Sequence, residues 1–474
     1  MNASTDPIQP LVQHAACAAN DAIPGPVVEK TADLLLDTLG CILAGSGKAG
    51  VSEVREVLSY WGGRPMATVL AFEDRTSAPW AALLNSAMGH ACDFDDTHDP
   101  ALNHGCVTLA PAVLAAAEAS CLEAGQQDTL CPFECPVSGA EVLAALAVGL
   151  DVSNRLGLAF IPYLHTGWLP TTLWGPIACA AAVGRLLHLD EEAMGNAFGL
   201  AYSQIHGNRE ALVEGALAKR LQPAFSAVAG IQAAFWAQQG IDAAQNILGG
   251  PFGIPALYTA GKMDPAPLTD ALGEHYETSN VSIKPYPSCR CTHPVIDAAL
   301  ALRSQHDLDF REIESGTIRV PPNSMGQIGR PFAIRGNPTV DAQFSAPYTA
   351  ALTVVKGCPR LDDFVAENVR SSQEVRALAE KLVVEEFAKD RSGVIPVEMS
   401  VILRSSQTFT TRVETVKGSP DNPLSESELL AKFDDCVEHG IRPYSKFARA
   451  RIVESVRSLQ QAADVRELFD ALGA

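Results

Sequence analysis

From residue 24 to residue 260 the apolar residues recur at helical spacing almost without interruption, and near residue 265 that spacing stops. A period of 3.6 residues and a period of two cannot be met by the same element, so the change divides the chain. Pro24 and Pro26 precede Val28, Ala32, Leu35, Leu39 and Ile42, and Gly45 and Gly47 close the run, which predicts a first long helix. Further helices are predicted over 53–61, 78–91, 108–123, 141–156, 176–187, 191–203 and 225–238. Several are so rich in Ala, Gly, Val and Leu that they read as buried on most faces. One short β-like piece, 66–72, interrupts them, and 125–138 reads as an exposed connection. Residues 263–268 hold two prolines and read as a linker. β-like runs follow at 282–286, 316–320, 397–403 and 408–414, with helices at 293–305 and 372–379. Helical periodicity returns over 425–472. The expected architecture is mainly α: a large all-helical domain from 1–264 and 417–474, with a smaller α+β module, 265–416, inserted into it.

The chain has 474 residues, 47% hydrophobic and 19% charged, which is ample for two cores. A net charge of −20 argues against nucleic acid or an anionic membrane as the main partner, but leaves room for a local cationic pocket. Cys17, Cys41, Cys92 and Cys179 sit among small apolar residues and read as buried, reduced thiols. The pairs Cys131/Cys135 and Cys289/Cys291 lack a second pair at zinc-site spacing, so no structural zinc is expected. The opening MNASTDPIQP has no secretory signature, and no uncharged apolar run approaches the ~20 residues of a membrane span. A cytoplasmic protein is the expectation.

The densest chemistry lies in 85–111, where His90, Asp93, Asp95, Asp96, Thr97, His98, Asp99 and His104 fall within fifteen positions. Most charge runs are solvated faces. Here, however, imidazoles interleave with the acids and core-like sequence encloses both, an arrangement suited to proton transfer beside a hydrophobic wall. Asp95–Asp99 is formally a DDxxD string of the kind that binds magnesium in prenyl-diphosphate enzymes. The second metal motif such an enzyme needs is poorly matched by Asn208-Arg209-Glu210, and aromatics are only 6%. Lys219 and Arg220, adjacent in Ala218-Lys219-Arg220-Leu221, read by spacing alone as surface cations. In 282–294, Pro285 and Pro287 impose an extended loop before a helix. Lys284, Arg290 and His293 there can converge on a carboxylate at the helix start. Tyr348 heads another apolar helix, where a lone tyrosine is usually a packed one, and Arg335 is a further possible carboxylate partner.

The strings 37–45 (DTLGCILAG), 93–98 (DFDDTH), 284–294 (KPYPSCRCTHP) and 341–348 (DAQFSAPY), in this order, resemble the MmgE/PrpD family of 2-methylcitrate dehydratases, cis-aconitate decarboxylases and an iminodisuccinate epimerase. The resemblance implies a helical domain with an α+β lid, a homodimer, and a pocket between the domains that requires no metal or organic cofactor. Carried over by motif, pocket residues fall on Asp93, Thr97, His104, Lys219, Lys284, His293 and Tyr348. That reverses the surface reading of Lys219 and demotes Asp95 and Asp96 from metal ligands. Two departures stand out. Leu169 in Gly167-Trp168-Leu169-Pro170 occupies a position where many members have His, with His165 nearby as a substitute, and Gln222 also stands where His is frequent.

The expected activity is that of a cofactor-free hydro-lyase acting on a small di- or tricarboxylic acid, with decarboxylation and epimerisation as alternatives on the same fold. Outside the family stand the magnesium-dependent prenyl-diphosphate enzyme and a non-catalytic scaffold. All three family reactions move a proton next to a carboxylate, whose growing charge must meet fixed cations. Lys219, Lys284 and Arg290 are the expected cations, and His104 the acid–base, oriented by Asp93. His293 and Tyr348 are the expected donors to the leaving hydroxyl or second carboxylate, and Thr97 and His165 line the acid.

Overall fold

The computed structural model describes residues 6–72, 74–121, 136–387 and 393–473. The chain is mainly α. Its first part packs helices α1 (Gln9–Cys17), α2 (Gly25–Gly45), α3 (Val51–Trp61), α4 (Ala78–Gly89), α5 (Cys106–Cys121), α6 (Gly139–Phe160), α7 (Pro170–Leu186), α8 (Glu191–Tyr202) and α9 (Ala218–Gln238). Small residues set how closely they approach. A Cβ on Gly45 would stand 1.9 Å from the Met88 carbonyl oxygen, and one on Gly230 would stand 2.2 Å from the Cys179 Cβ. Backbones therefore meet almost directly where α2 crosses α4 and where α7 crosses α9. Ser138 and Glu141 form a capping box that starts α6.

A second core follows. Helices α10 (His293–His306) and α11 (Ala346–Lys356) pack on a four-stranded sheet of β3 (Ile313–Val320), β4 (Leu382–Glu386), β5 (Val397–Leu403) and β6 (Thr408–Val413), after the short hairpin β1 (Ala67–Thr68) and β2 (Arg75–Thr76) of the helical part. Strand order is β4-β3-β5-β6, with β3 and β4 parallel and the other pairs antiparallel. Ile318, Val320, Val397, Met399 and Val401 point inward at alternate positions and meet Val295, Ala299, Leu302 and Leu352 from the helices. The chain then returns to the first core. Leu429, Phe433 and Val437 of α12 (Glu426–Glu438) and Ile452 and Val456 of α13 (Lys446–Arg457) join the cluster that holds Leu35, Leu39 and Leu43 of α2. The last helix, α14 (Arg466–Leu472), buries Leu468, Phe469 and Leu472 in the same cluster.

Several local expectations are corrected. The β-like run 66–72 reduces to β1 paired with β2, because Ala71 turns the chain at a φ of 67°. In 282–286 only Ser282 pairs, in a single bridge to Thr97, since the prolines that follow have no N–H to extend a ladder. Strand β4 escaped notice because it is short and mostly exposed. Cys17 is exposed, at the C-terminal end of α1, whereas Cys41, Cys92 and Cys179 are buried. Helix α6 is long and apolar enough to cross a membrane by length and composition, contrary to the reading of its sequence. Its most apolar window is 94% buried inside the fold, as a central core helix is. The Cys131/Cys135 pair and most of the 125–138 connection lie outside the described residues.

Candidate active site

The acidic segment runs from the end of α4 to the start of α5. It is not solvated: Asp93, Asp95, Asp96, Thr97 and His98 are all at most 5% exposed. Each acid has its own partner. Asp93, held at a φ of 54°, accepts from the Lys219 ammonium through one carboxylate oxygen at 2.5 Å and from the Lys284 ammonium through the other at 2.8 Å. Asp95 lies 2.9 Å from His90 Nδ1 and 3.3 Å from His104 Nδ1. The Asp96 carboxylate accepts from the backbone N–H groups of Gly105 and Cys106, where α5 leaves donors unpaired and favours negative charge. Asp99 pairs with the Arg290 guanidinium at 2.8 Å. Four carboxylates at this density are compatible because each is matched separately. The same division leaves no three of them facing one point, and among the described residues no group of three His, Cys, Asp or Glu side chains could hold a metal ion.

This wiring polarises the groups. Burial alone would push the Asp93 carboxyl up, but Lys219 and Lys284 outweigh it and hold the acid well below the usual carboxylate range. Burial likewise acts against Asp95, and the imidazoles of His90 and His104 overcome it, again keeping the group ionised. Asp96 goes the other way: burial, then the neighbouring charge of Asp95, raises it to about 6. Burial depresses His90 to about 4, so that ring is neutral. Lys284 is raised despite its burial, chiefly by Asp93.

These side chains open onto a cavity of about 280 Å³. Of the residues expected from sequence, Asp93, Thr97, His104, His165, Lys219 and Arg290 line it. Lys284, with no exposed side-chain surface, stands behind Asp93 and also donates to its backbone carbonyl at 3.0 Å. His293 is fully buried behind Arg290, with Nδ1 3.4 Å from that guanidinium and Nε2 3.2 Å from the Ser288 carbonyl. Burial and the charges of Arg290 and Lys284 hold it neutral. Tyr348 is away from the cavity. Its ring packs in the second core against Phe332, 4.5 Å between centroids, and Phe364. The expected Asp93–His104 pairing is also corrected: Asp93 is taken by the two lysines, and His104 Nδ1 lies 2.7 Å from the Asp96 carbonyl oxygen. A carbonyl can only accept, so Nδ1 carries a hydrogen, and in the neutral ring the lone pair is then on Nε2.

Sequence reasoning missed Asp99 and Arg209 as parts of the wall, and His90 as the second partner of Asp95. Asp99 and His90 sat in the conspicuous cluster, but nothing in their spacing told which acid met which base. For Arg209 the sequence offers only a poor match to a metal motif. Trp168, Leu169, Leu212 and Phe344 supply the apolar side of the cavity. The departure at Leu169 therefore falls on the wall itself, with His165 beside it at the exposed rim. Gln222 is buried outside the wall and donates to the Asn208 carbonyl at 2.9 Å. The loops of the two cores are pinned together here. Thr97 and Ser282 exchange backbone bonds of 3.0 and 2.7 Å, and the Gln343 amide donates to the carbonyls of Cys92 and Pro287. From below, the Lys432 ammonium of α12 donates to the Phe94 carbonyl and pairs with Asp37 of α2.

Residues 9–266 match the MmgE/PrpD N-terminal domain and residues 286–458 the MmgE/PrpD C-terminal domain. The chain is 27% identical over 466 residues to the cis-aconitate decarboxylase-like protein oryM of Aspergillus oryzae, covering 94% of this chain and 93% of that protein. It is 25% identical over 449 residues to a cis-aconitate decarboxylase of Aspergillus terreus, covering 91% and 89%. It is also 26% identical over 419 residues to the cis-aconitate decarboxylase of Mus musculus, covering 86% and 82%.

Proposed function

Since the chain belongs to the MmgE/PrpD family, we propose that it is a lyase that takes a small di- or tricarboxylic acid and moves a proton at the carbon next to a carboxylate, without a metal or organic cofactor. The observation that carries the reading is the charge balance of the cavity. Arg209, Lys219 and Arg290 line it against Asp93 and Asp99, with the buried charges of Lys284 and Asp95 offsetting each other behind, on a protein whose net charge is −20. Such a pocket favours a small polyanion over a neutral ligand.

In this reading Lys219 and Arg290 grip carboxylates, and Thr97 and His165 complete the polar lining. When the proton next to a carboxylate leaves, its electron pair delocalises onto that carboxylate, and the cations already in place meet the added charge. His104 is the acid–base. Its Nε2 lone pair can take a proton, and the imidazolium so formed would be stabilised by Asp95 through Nδ1. Asp95 is a positioning residue in this scheme, as are Lys284 and His293, which act through Asp93 and Arg290. Dehydration would break the C–H and C–O bonds and release water. This is the main reading. Decarboxylation, the activity in the relatives' names, is the second: carbon dioxide departs, and His104, having taken a proton from solvent, delivers it to the carbon left behind. Incubating the protein in D2O with citrate-like, aconitate-like and aminosuccinate-like acids, followed by NMR, separates the outcomes. A new double bond with loss of water, loss of carbon dioxide, or deuterium uptake without either would mark dehydratase, decarboxylase and epimerase. No change with any acid would defeat the proposal.

The proposal extends to the whole molecule. Residues 265–416 would act as a lid on the helical domain of 1–264 and 417–474, opening to admit the acid, and the assembly would be a homodimer. Sedimentation and hydrogen exchange with and without a bound acid test both. Buried free thiols suit a reducing compartment, so cytoplasmic residence belongs to the same reading.

A further inference from the structure

Two thiols that the proposed chemistry does not use line the cavity. Cys289 and Cys291 flank Arg290, and both border the same space although they are only 6% and 3% exposed. Pro285 and Pro287 stiffen the loop ahead of them, and residues 290–292 form a single tight turn into α10. That turn sets both thiols on the same wall, one on either side of Arg290. Each thiol acts first on the other, holding Cys289 well above an ordinary thiol and lowering Cys291 despite its burial. The lowered partner of such a pair is the better nucleophile near neutral pH.

We propose that Cys289 and Cys291 form a redox-sensitive dithiol on the pocket wall, whose oxidation to a disulfide unseats Arg290 and switches off anion binding. The oxidant class is a low-molecular-weight disulfide. The Cys291 thiolate attacks one of its sulfurs and expels one thiolate. The Cys289 sulfur then attacks Cys291 Sγ in the mixed disulfide and expels the second. Two protein thiols lose two electrons, one disulfide is reduced to two thiols, and the two protons leave on the expelled groups. Closing the ring holds the two Cβ atoms near 3.8 Å, typical of a disulfide, across the residue that bears the guanidinium. Arg290 depends on a defined direction for its bonds to Asp99 at 2.8 Å, to the Lys417 carbonyl at 3.0 Å and to the Ser282 hydroxyl at 3.2 Å. Tightening the turn that carries it disturbs that set. A reducing compartment keeps the dithiol open, so the device would report an oxidative shift.

The test uses the full chain and bis(2-hydroxyethyl) disulfide, which is small enough for the cavity. After exposure and alkylation, trypsin cuts at Arg290, between the two cysteines. The oxidised protein should yield peptides 263–290 and 291–303 still joined, and dithiothreitol should separate them. Citrate binding, read by thermal shift, should fall at least tenfold in the oxidised protein and return on reduction. Cys291→Ser should give no joined peptides, and its citrate binding should ignore the oxidant. If both thiols remain alkylatable while the exposed Cys17 and Cys358 oxidise, or if the peptides join without loss of citrate binding, the proposal is wrong. The linkage is read without any substrate. A reduced protein that binds no acid would therefore count against the substrate class proposed above, and the dithiol would be judged by its peptides alone.

Discussion

Lys284 and Asp93 meet twice: the fully buried ammonium donates to the carboxylate at 2.8 Å and to the backbone carbonyl of the same residue at 3.0 Å. Asp93 is thereby fixed in both side chain and backbone by a residue of the second family domain's approach loop. The fixing is strong because the ammonium has no exposed surface and the carboxylate very little.

Asp93→Asn should destabilise the fold by about 3–5 kcal/mol, the usual cost of leaving one partner of a buried ion pair uncompensated. Lys284→Met alone should cost a similar amount. The double variant should lose less than the sum, because removing both charges leaves neither of the two groups as the uncompensated remnant of this pair. Urea unfolding of the four proteins measures the coupling. Strict additivity would mean that the two groups do not act as a pair.

His104→Ala should lower kcat by ~10²–10⁴-fold with the fold intact, as removal of a general acid–base does. Asp95→Asn should cost less and should overlap with His104→Ala in the double variant, since the two share one task. Asp93→Asn should instead combine with His104→Ala nearly additively, because Asp93 serves the lysines. Turnover of the acid identified in D2O is the readout. Overlap of His104 with Asp93 rather than Asp95 would restore the pairing expected from sequence.

The site should also write itself into the pH dependence of stability. His90 titrates near 4 in the fold, chiefly through burial, and near 6.5 in an unfolded chain, so the unfolded state binds more protons between those values. Its contribution is complete above about 6.5 and disappears as pH falls towards 4. Asp96, raised to about 6, has the opposite sign: its contribution is present below the unfolded value near 3.8 and is lost as pH rises through 6. Between pH 4 and 7 the parent's advantage over His90→Gln should widen by roughly 2–3 kcal/mol, and its advantage over Asp96→Asn should shrink. Denaturant midpoints at several pH values check both slopes. A parallel change in the two variants would contradict the assignment.

Chelation should do little. Asp95, Asp96 and Asp99 face different partners, so EDTA should leave turnover and the melting temperature unchanged. An activity abolished by EDTA and restored by magnesium would revive the prenyl-diphosphate reading.

Helical periodicity located α2, α4 and α9, and the prolines of 282–294 foretold an extended loop, because those features act over a few neighbouring residues. The candidate cavity was partly legible too, since Asp93, Thr97 and His104 lie within one loop, the proline-stiffened 282–294 loop offered Arg290, and motif resemblance added Lys219 and His165. Pairing was not legible. The left-handed backbone at Asp93 turns it away from the next two acids, so residues adjacent in sequence face different partners. Nothing local predicts that Lys219 and Lys284, 126 and 191 residues away, will share that carboxylate. Tyr348 illustrates the same limit. It belongs to a motif with polar neighbours, yet the helix it heads turns the ring into the second core.

The packing of α12 onto α2 has a consequence for how the protein is made. The backbone N–H of Ile441, just past α12, bonds to the Ser46 hydroxyl at the end of α2, across 395 residues. At ~5–20 residues per second a ribosome needs roughly 20–80 s to cover that distance. Through that interval the face of α2 that Phe433 will cover is without its permanent neighbour. The helical core cannot be finished co-translationally from its N-terminus. The nascent chain must hold that apolar stripe of α2 uncovered until α12 has been made.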